Sequence, residues 1–301
     1  MPLATKHRPL TLTEFMERFG TEEACRTYLR DLRWPDGVRC PQCNQERPYV
    51  IATRHLWECR ACHYQFSVMV GTVMQDSKLP LRTWFLAIFL DSQSKRGISA
   101  LELQKQAGIC YESAWYLLRR IRSAMSQRDR EHLLSGMIEL DDAYFGGVCE
   151  GRYGRGTGQS KAAVAVAIND EGYPTYAKIR VVNSFTQDDI NDSMVAVAEP
   201  GSTFLTDGLG AWSALDQVGF DHKPEANANV PEGVEPFPCV HTLISNAKAW
   251  LAGTFHGLGA TYLQEYLDEF CFRYNRRKME HRLFERVVLA VGRSHLLVGG
   301  S

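Results

Sequence analysis

The sequence predicts an α/β protein, in which a mixed sheet flanked by helices follows a small metal-binding segment and a helical region. Three observations predict this fold class: two closely spaced cysteine pairs near the N-terminus, two helical segments joined through a glycine, and apolar strands that alternate with helices in the second half. With 301 residues, 45% of them hydrophobic, the chain is long enough for about two domains with their own cores. No apolar run approaches the roughly 20 residues of a membrane-spanning helix, and the N-terminus lacks the apolar core of a secretion signal.

Charge is distributed unevenly, although the formal net charge is only −1. The net charge is +6 over residues 1–125, −12 over residues 126–270 and +5 over residues 271–301. The basic segments predict contacts with phosphates. The acidic segment predicts a site for divalent cations, which prefer oxygen ligands. A solvated surface with uneven charge is the alternative interpretation.

The first segment, residues 1–35, is predicted to be helical. The apolar spacing predicts helix over residues 11–32 with an interruption at Gly20, and Thr13 is the candidate cap of the first part. Apolar residues recur at helical spacing on both sides of the interruption, so each part is expected to bury one face.

Residues 36–78 are predicted to form a zinc ribbon. Two residues separate Cys40 from Cys43 and Cys59 from Cys62, and fifteen residues lie between these pairs. Each pair lets two thiolates reach the same ion, and two pairs complete a closed tetrahedral site, so the predicted Zn²⁺ is structural. The alternative, a pair of redox motifs, requires a thioredoxin-like context that the sequence lacks. Short strands are expected over residues 48–52, 55–58 and 64–68.

Residues 79–127 are predicted to form a helical region with the outline of a helix-turn-helix. A helix is expected over residues 80–92, followed by a helix capped by Ser99, a break at Gly108 and a helix over residues 111–125. The last helix carries three arginines that we expect to contact DNA phosphates: Arg119, Arg120 and Arg122. An ordinary helical hairpin gives the same pattern, but the neighbouring zinc ribbon favours DNA binding.

The second half of the chain, residues 134–290, alternates strands and helices and ends in a basic helix. Strands are predicted over residues 137–145, 162–168, 177–182 and 203–206, with a further short strand near Phe237. Helices are predicted over residues 187–198, 210–218 and 241–251. A meander of three strands followed by helix, strand and helices, with acidic residues at strand ends, predicts a ribonuclease-H-like catalytic domain.

Two aspartates occupy matching places in this predicted sheet. Asp141 lies in the first strand and Asp207 directly follows the fourth, so their carboxylates would meet across neighbouring strands. Carboxylates in such a place can hold two divalent cations about 4 Å apart for phosphoryl transfer. Asp142 points to the opposite face of the strand, so only one of the two adjacent aspartates is expected to be a ligand. Ordinary exposed or capping carboxylates are the alternative interpretation.

Several segments together carry a family resemblance that covers nearly the whole chain. Besides the cysteine pairs, these segments read Ile-Glu-Leu-Asp-Asp-Ala-Tyr-Phe-Gly-Gly (138–147), Leu-Thr-Asp-Gly (205–208), Ile-Ser-Asn-Ala-Lys-Ala-Trp-Leu-Ala-Gly-Thr-Phe-His-Gly (244–257) and Tyr-Leu-Asp-Glu-Phe-Cys-Phe-Arg-Tyr-Asn-Arg-Arg (266–277). In these segments the chain resembles bacterial insertion-sequence transposases with an N-terminal zinc ribbon, the fifteen-ninety-five family. Each segment alone is modest evidence, but their joint occurrence is specific.

The resemblance implies a DDE-type transposase, which is a polynucleotidyl transferase with Mg²⁺ or Mn²⁺ as its catalytic metal. It places the first catalytic aspartate on Asp141 and the second on Asp207. The third residue of such enzymes is usually a Glu on a late helix near a basic residue, but this chain has no Glu between Glu235 and Glu265. Some groups of the family carry Asn there, and the matching residue is Asn246, whose amide oxygen suits Mg²⁺ or Mn²⁺.

His241 and Glu269 are the alternatives to Asn246 for the third position. His241 lies seven residues before Lys248, so the two side chains share one face of the predicted helix. An imidazole can bind a metal, although Mg²⁺ prefers oxygen, and it can also orient a water or act as a base. Asn246 is favoured over His241, helix capping is the alternative role of both, and Glu269 lies in a helix expected to pack. Lys248 is expected to contact a DNA phosphate near the scissile bond.

The basic C-terminal segment is predicted to contact the DNA backbone. Arg273, Arg276 and Arg277 are interleaved with the aromatic residues Phe272 and Tyr274. A solvated helix face is the alternative interpretation of the same charge run.

The resemblance implies strand cleavage and strand transfer at transposon ends. The ribbon and the helix-turn-helix are expected to bind the terminal inverted repeats, and the catalytic domain is expected to act on these ends and on target DNA. We expect a homodimer or a higher oligomer on DNA in the bacterial cytoplasm, associated with the nucleoid and not with a membrane. Two other functions fit the sequence: a non-catalytic zinc-ribbon DNA-binding protein, which the missing third carboxylate favours, and a structure-selective nuclease on the same fold.

Overall fold

A computed structural model describes residues 8–146, 158–225, 235–255 and 258–295. The chain divides into two compact units. The first contains residues 1–128 together with residues 279–301, and the second contains residues 129–278. Among the described helices, none is both long enough and apolar enough to cross a membrane.

The N-terminal unit begins with two helices that are separated at Gly20, as predicted. Helix α1 spans Leu12–Phe19 and helix α2 spans Glu22–Arg33. The cap of α1 is Thr11 and not Thr13, because only Thr11 has a glutamate three residues later with which it can form a capping box. The Thr11 side chain accepts the N–H group of Glu14, and the Glu14 carboxylate accepts the N–H group of Thr11.

The ribbon contains the three short strands that the sequence predicts. Strands β1 (Tyr49–Ile51), β2 (Leu56–Glu58) and β3 (Gln65–Phe66) form an antiparallel sheet in that order. The apolar core of the ribbon is small, since its buried members are Phe66 and two of the cysteines, with Trp34 and Trp57 packed against them. A core of this size needs a further source of stability.

Three further helices follow the ribbon: α3 (Leu81–Gln93), α4 (Ala100–Ala107) and α5 (Tyr111–Arg130). The Ser99 side chain caps α4, and Gly108 ends it in the left-handed conformation, with φ of 64°. This break between α4 and α5 agrees with the predicted helix-turn-helix outline, whose DNA-binding role stays a prediction.

Helix α9 (Leu283–Arg293) packs in the N-terminal unit, against α2 and α3. The sequence-based range of the catalytic domain ended at residue 290 and therefore included most of this helix. Its apolar face explains the difference, because the ring of Phe284 lies 5.3 Å from Phe19 and 6.3 Å from Phe85.

The C-terminal unit contains five described strands: β4 Met137–Phe145, β5 Ser160–Ile168, β6 Pro174–Val182, β7 Thr203–Thr206 and β8 Asp221–Pro224. Its described strands form one mixed sheet in the order β6-β5-β4-β7-β8. The first three strands are an antiparallel meander, and β4, β7 and β8 are parallel. This strand order, with helices beside the sheet, is ribonuclease-H-like.

Helices cover both faces of this sheet. Helix α6 (Gln187–Val195) lies on one face, and α7 (Pro238–Thr254) and α8 (Leu263–Tyr274) lie on the other. Side chains of β4 alternate between the two apolar clusters, with Ile138 and Leu140 on the α6 side and Ala143 and Phe145 on the α7 side.

Two predicted elements of this unit are wrong. The fifth strand lies at Asp221–Pro224 and not near Phe237, because Pro238 occupies the first turn of α7 and Phe237 precedes that helix as its N-cap residue. The helix predicted over residues 210–218 is two short 3₁₀ turns, Gly210–Trp212 and Leu215–Val218.

Candidate metal centre and candidate active site

The four ribbon cysteines converge as predicted. Their sulfur atoms all lie within 4.8 Å of one another, with Sγ–Sγ distances of 3.6 Å for Cys40–Cys62 and 3.4 Å for Cys43–Cys59. Tetrahedral zinc with Zn–S bonds of about 2.3 Å separates its sulfurs by about 3.8 Å, so the cluster fits this ion. N–H groups of Cys62 and Ala61 donate to the Cys59 sulfur and lower the pKa of this thiol to about 6. The cluster is therefore a structural zinc site.

The second site lies beside the carboxyl end of β7, where this strand runs next to β4. We call this place, with Asp141 and Asp207, the acidic sheet edge. Glu139 of β4 lies opposite Leu205 of β7 in this parallel pair. Two residues further along both strands, the same register puts Asp141 opposite Asp207, which directly follows β7. The sequence predicted this pairing, because both aspartates could be placed on neighbouring strands.

The Asp141 carboxylate is largely buried and faces α7. Its Oδ1 atom accepts the N–H group of Asp142 at 2.8 Å, and its side chain is 15% exposed. Burial raises the pKa of Asp141, and the negative charge of Asp207 raises it further. Asp142 occupies the alternate position of the strand, on the α6 face, as predicted, and the ligand role of Asp141 alone stays a prediction.

His241, in the first turns of α7, meets this carboxylate. Its Nε2 atom lies 3.0 Å from Oδ2 of Asp141, and its Nδ1 atom contacts the Glu235 carboxylate. The start of α7 is held on β4 by Glu139, whose Oε2 atom accepts the Val240 N–H group at 2.8 Å. Strand and helix are thus joined directly beside the site.

Asn246, the favoured third residue in the sequence analysis, is placed elsewhere. It is exposed and lies five residues after His241, which turns its side chain about 140° around the helix axis. Lys248 does share the face of His241, and its ammonium group lies 6.0 Å from the centre of the Phe145 ring. The structure therefore brings His241, and not Asn246, to Asp141.

Glu269 forms a buried ion pair with Arg273 in α8, with an Nε–Oε1 distance of 2.9 Å, as expected for a packing helix.

Asp207 is held by the turn that follows it. Its Oδ1 atom accepts the Leu209 N–H group at 3.0 Å and the indole N–H group of Trp212 at 3.1 Å. Sequence reasoning missed this contact, as it missed Glu235 and Glu139. Only Glu139 carried a signal, because it lies two residues before Asp141 and therefore on the same face of an apolar strand.

The arginines of α5 differ in their surroundings. The Arg119 guanidinium is half-buried and lies 5.4 Å from the centre of the Trp115 ring. Arg120 donates to the carbonyl oxygens of Val73 and Gln75, and Arg122 is only 3% exposed. Burial of Arg122 leaves little of its side chain for a phosphate, and the predicted contact of the α5 arginines with DNA stays a prediction.

The three C-terminal arginines all have partners within the C-terminal unit. Arg273 pairs with Glu269, and Arg276 pairs with the buried Asp129 at 2.7 Å. Arg277 donates to the Tyr274 carbonyl, and its guanidinium lies 4.1 Å from the centre of the Tyr274 ring. These contacts account for the basic segment by packing, and its predicted contact with the DNA backbone stays a prediction.

Comparison with known proteins supports a specific class. One family model, described as "ISXO2-like transposase domain", matches residues 133–275, and another, described as "Transposase zinc-ribbon domain", matches residues 20–65. A zinc ribbon and a ribonuclease-H-like unit with these matches define a DDE-type transposase. Together the two matches cover more than half of the chain, which belongs to the IS1595 family of insertion-sequence transposases.

A relative and a solved structure also resemble the chain. The "Uncharacterized protein in transposable element ISH50" of Halobacterium salinarum is 26% identical over 279 residues, which cover 86% of this chain and 92% of that protein. A match to one chain of a simian T-cell lymphotropic virus intasome in complex with the PP2A regulatory subunit B56 gamma covers 56% of this chain and 67% of that chain. The TM-score is 0.31 and the sequence identity is 11%.

Proposed function

We propose that the protein cleaves DNA at the ends of an insertion sequence and joins these ends to target DNA, with Asp141, Asp207 and His241 as the catalytic residues. The observation that supports this proposal is the 3.0 Å contact between His241 and Asp141 at the strand position opposite Asp207. Three side chains from a strand, a strand end and a helix thus converge in a domain of the DDE transposase class.

The donor set of this site suits Mg²⁺ or Mn²⁺. Asp141 and Asp207 supply carboxylate oxygens, which are the ligands that these ions prefer, and His241 supplies an imidazole nitrogen. A divalent cation would also offset the repulsion between two negative charges, one of which is largely buried. When bound, such ions lower the pKa of the attacking group and stabilise the charge that develops on the phosphate.

His241 holds protons at defined atoms in this arrangement. Its Nε2 atom faces Asp141 and its Nδ1 atom faces Glu235. Ionised carboxylates only accept hydrogen bonds, so a ring nitrogen that bonds to an ionised carboxylate is the donor. Loss of the Nε2 proton would free that nitrogen as a ligand or base, while Glu235 keeps the ring in place through Nδ1.

Substrate DNA would be positioned by cationic groups outside the carboxylate pair. Lys248 is exposed on the same face of α7 as His241, so its ammonium group is suited to a phosphate next to the scissile bond. The ribbon and the α4–α5 pair would hold the terminal inverted repeats, with Arg119 as a backbone contact. We propose a homodimer or a higher oligomer for the assembly that brings two ends together.

Cleavage and strand transfer by the purified full chain, with end DNA and Mg²⁺ or Mn²⁺, test the proposal. Asp141→Asn and Asp207→Asn are expected to abolish both reactions and to leave end binding intact. His241→Ala is expected to do the same, whereas the matched variant Asn246→Ala, on the same helix, keeps both reactions. Activity that disappears in Asn246→Ala and survives in His241→Ala would overturn the assignment of the third residue.

The same assay separates the alternative functions. A wild-type protein that binds ends but cuts them with neither metal would be a non-catalytic DNA-binding protein. Cutting of branched DNA without joining would indicate a structure-selective nuclease.

A further inference from the structure

One oxygen of the Asp207 carboxylate is already fully engaged by the protein. Oδ1 accepts two hydrogen bonds, from the Leu209 N–H group at 3.0 Å and from the indole N–H group of Trp212 at 3.1 Å. No hydrogen bond to Oδ2 is found among the described residues. The carboxylate is therefore held in one orientation, with a single oxygen left for another partner.

Trp212 is a rigid donor. It is fully buried, it belongs to the apolar cluster between the sheet and α6, and its ring centre lies 6.5 Å from that of Phe185. It ends the 3₁₀ turn Gly210–Trp212, five residues after Asp207. A tightly packed indole cannot follow the carboxylate if that group rotates, so the hydrogen bond fixes the carboxylate and not the reverse.

The strand end on the other side of Asp207 is fixed as well. The buried Thr206 hydroxyl hydrogen-bonds to Nε2 of His222 in β8 at 2.8 Å and accepts the Gly208 N–H group at 3.2 Å. The backbone on both sides of Asp207 is thus tied to neighbouring elements. The remaining freedom of the residue is the rotation of its side chain, which the hydrogen bonds from Leu209 and Trp212 restrict.

In Asp141, too, one carboxylate oxygen accepts a hydrogen bond from the protein backbone and the other faces the candidate site. Its Oδ1 atom accepts the Asp142 N–H group, and its Oδ2 atom is the one that meets His241. In both aspartates, a hydrogen bond from the protein occupies Oδ1. The partner that holds Asp141 is its own backbone neighbour, whereas Asp207 is held by the Leu209 N–H group and, in addition, by a side chain from the next turn.

We propose that Trp212 is a positioning residue, which holds Asp207 so that it binds the catalytic metal through Oδ2 alone. This inference rests on the proposed function, because it assumes that Asp207 is a metal ligand. Hydrogen bonds to a ligating carboxylate fix its orientation, and loss of such a partner typically weakens metal binding by about 10–100-fold.

The need to satisfy a buried indole does not by itself explain the contact. Trp250 of α7 is also buried, at 7% exposure, and its indole N–H group has no hydrogen-bond partner in the described part of the chain. The fold therefore tolerates a buried tryptophan without an acceptor. The contact between Trp212 and Asp207 is a separate feature, and Trp250 supplies its matched control.

Direct binding of Mn²⁺ to the zinc-loaded full chain tests the inference, with free Mn²⁺ measured by electron paramagnetic resonance. Asp207→Asn is expected to remove one class of binding. Trp212→Phe, which keeps a packed ring but loses the N–H group, is expected to weaken the same class about 10–100-fold. Trp250→Phe removes an equivalent amount of buried ring and is expected to leave Mn²⁺ affinity unchanged.

An isosteric replacement separates the hydrogen bond from the packing. Benzothienylalanine at position 212 keeps the shape of the indole but carries sulfur in place of N–H, so it should retain the wild-type melting temperature and show the weakened Mn²⁺ binding of Trp212→Phe. Wild-type Mn²⁺ affinity in both position-212 variants would overturn the inference and leave the metal site intact. Mn²⁺ binding that does not depend on Asp207 would overturn the proposed metal site, and the inference with it.

Discussion

The zinc ribbon and the acidic sheet edge, with Asp141 and Asp207, both bring together side chains of the kinds that bind metals, but they do so in opposite ways. The ribbon takes its four thiols from two short turns between Cys40 and Cys62, around a core with few apolar residues. The acidic site takes its side chains from a strand, a strand end and a helix, spread from Asp141 to His241, on a sheet with an apolar cluster on each face.

Because the two regions are built differently, a bound metal has a different role in each. In the ribbon the ion replaces a core that the segment is too short to build, so binding and folding are one event. At the sheet edge the scaffold is already formed by packing, and hydrogen bonds such as that of Trp212 orient the ligands in advance. Metal loss should therefore unfold the first region and only inactivate the second.

Zinc removal gives the largest expected effect and the most direct way to break this comparison. Structural zinc in comparable small domains contributes an apparent binding free energy of about 10–16 kcal/mol, so Cys59→Ser should unfold the ribbon. Hydrogen exchange measured by mass spectrometry should show rapid exchange in β1 to β3 and continued protection in β4 to β6.

Cys110→Ser is the matched control for this experiment. Cys110 is exposed and lies outside the zinc cluster, so its replacement should leave both zinc content and exchange unchanged. Loss of protection in β4 to β6 of Cys59→Ser would contradict the independence of the two regions. Protection of β1 to β3 without zinc would contradict the metal-dependent folding of the ribbon.

Replacement of Arg276 has the second largest expected effect. It tests whether the C-terminal unit is stabilised by contacts among its own residues. Its side chain is 12% exposed, and its guanidinium pairs with the carboxylate of Asp129, whose side chain is 7% exposed. Removal of one partner of a buried ion pair costs about 3–5 kcal/mol, because the other charge stays buried. Arg276→Ala should lower the free energy of unfolding accordingly.

Lys278→Ala controls for the loss of charge in this experiment, since Lys278 is exposed two residues away. It should leave stability unchanged. The salt dependence of end-DNA binding, measured for both variants, tests the DNA contact predicted from sequence. A smaller salt slope in Arg276→Ala with normal stability would favour that contact over the packing role.

Local patterns predicted most of the fold. The cysteine spacing indicated the ribbon, Ser99 and Gly108 marked the ends of α4, and apolar strands marked β4 to β7. The exception is β8, whose residues Asp221–Pro224 are polar or proline and mostly exposed, so they carry no apolar pattern. An edge strand of this kind is defined by its pairing with β7, which the sequence does not display.

The site was predictable only where sequence neighbours define it. Asp141 and Asp207 could be paired because the first lies in a recognisable strand and the second directly follows one. The choice between His241 and Asn246 depends on the rotation of α7 relative to β4, which the Glu139–Val240 hydrogen bond sets. The packing partners of the C-terminal arginines were not predictable, because a distant partner such as Asp129 leaves no local signal.

Glu139 gives the smallest effect and tests how the acidic sheet edge tolerates its charge. Burial raises the pKa of Glu139, and the N–H group of Val240 lowers it by less. A carboxyl whose pKa is raised in the folded protein contributes stability below its ordinary pKa of 4.5 and loses it as the pH rises through the raised value. Relative to Glu139→Gln, the wild-type free energy of unfolding should fall across this window, by at most about 1.4 kcal/mol per pH unit.

Urea denaturation across this window measures the difference, with Glu139→Ala as the companion variant. Alanine leaves the Val240 N–H group without its acceptor, so it should lie about 1–3 kcal/mol below Glu139→Gln at every pH, with the same pH dependence. A wild-type advantage over Glu139→Gln that grows with rising pH would show that the N-terminus of α7 outweighs burial. The N–H groups at the start of α7 would then stabilise a negative charge at the sheet without an ion, and the contrast with the ribbon, which needs an ion to fold, would be stronger than we propose.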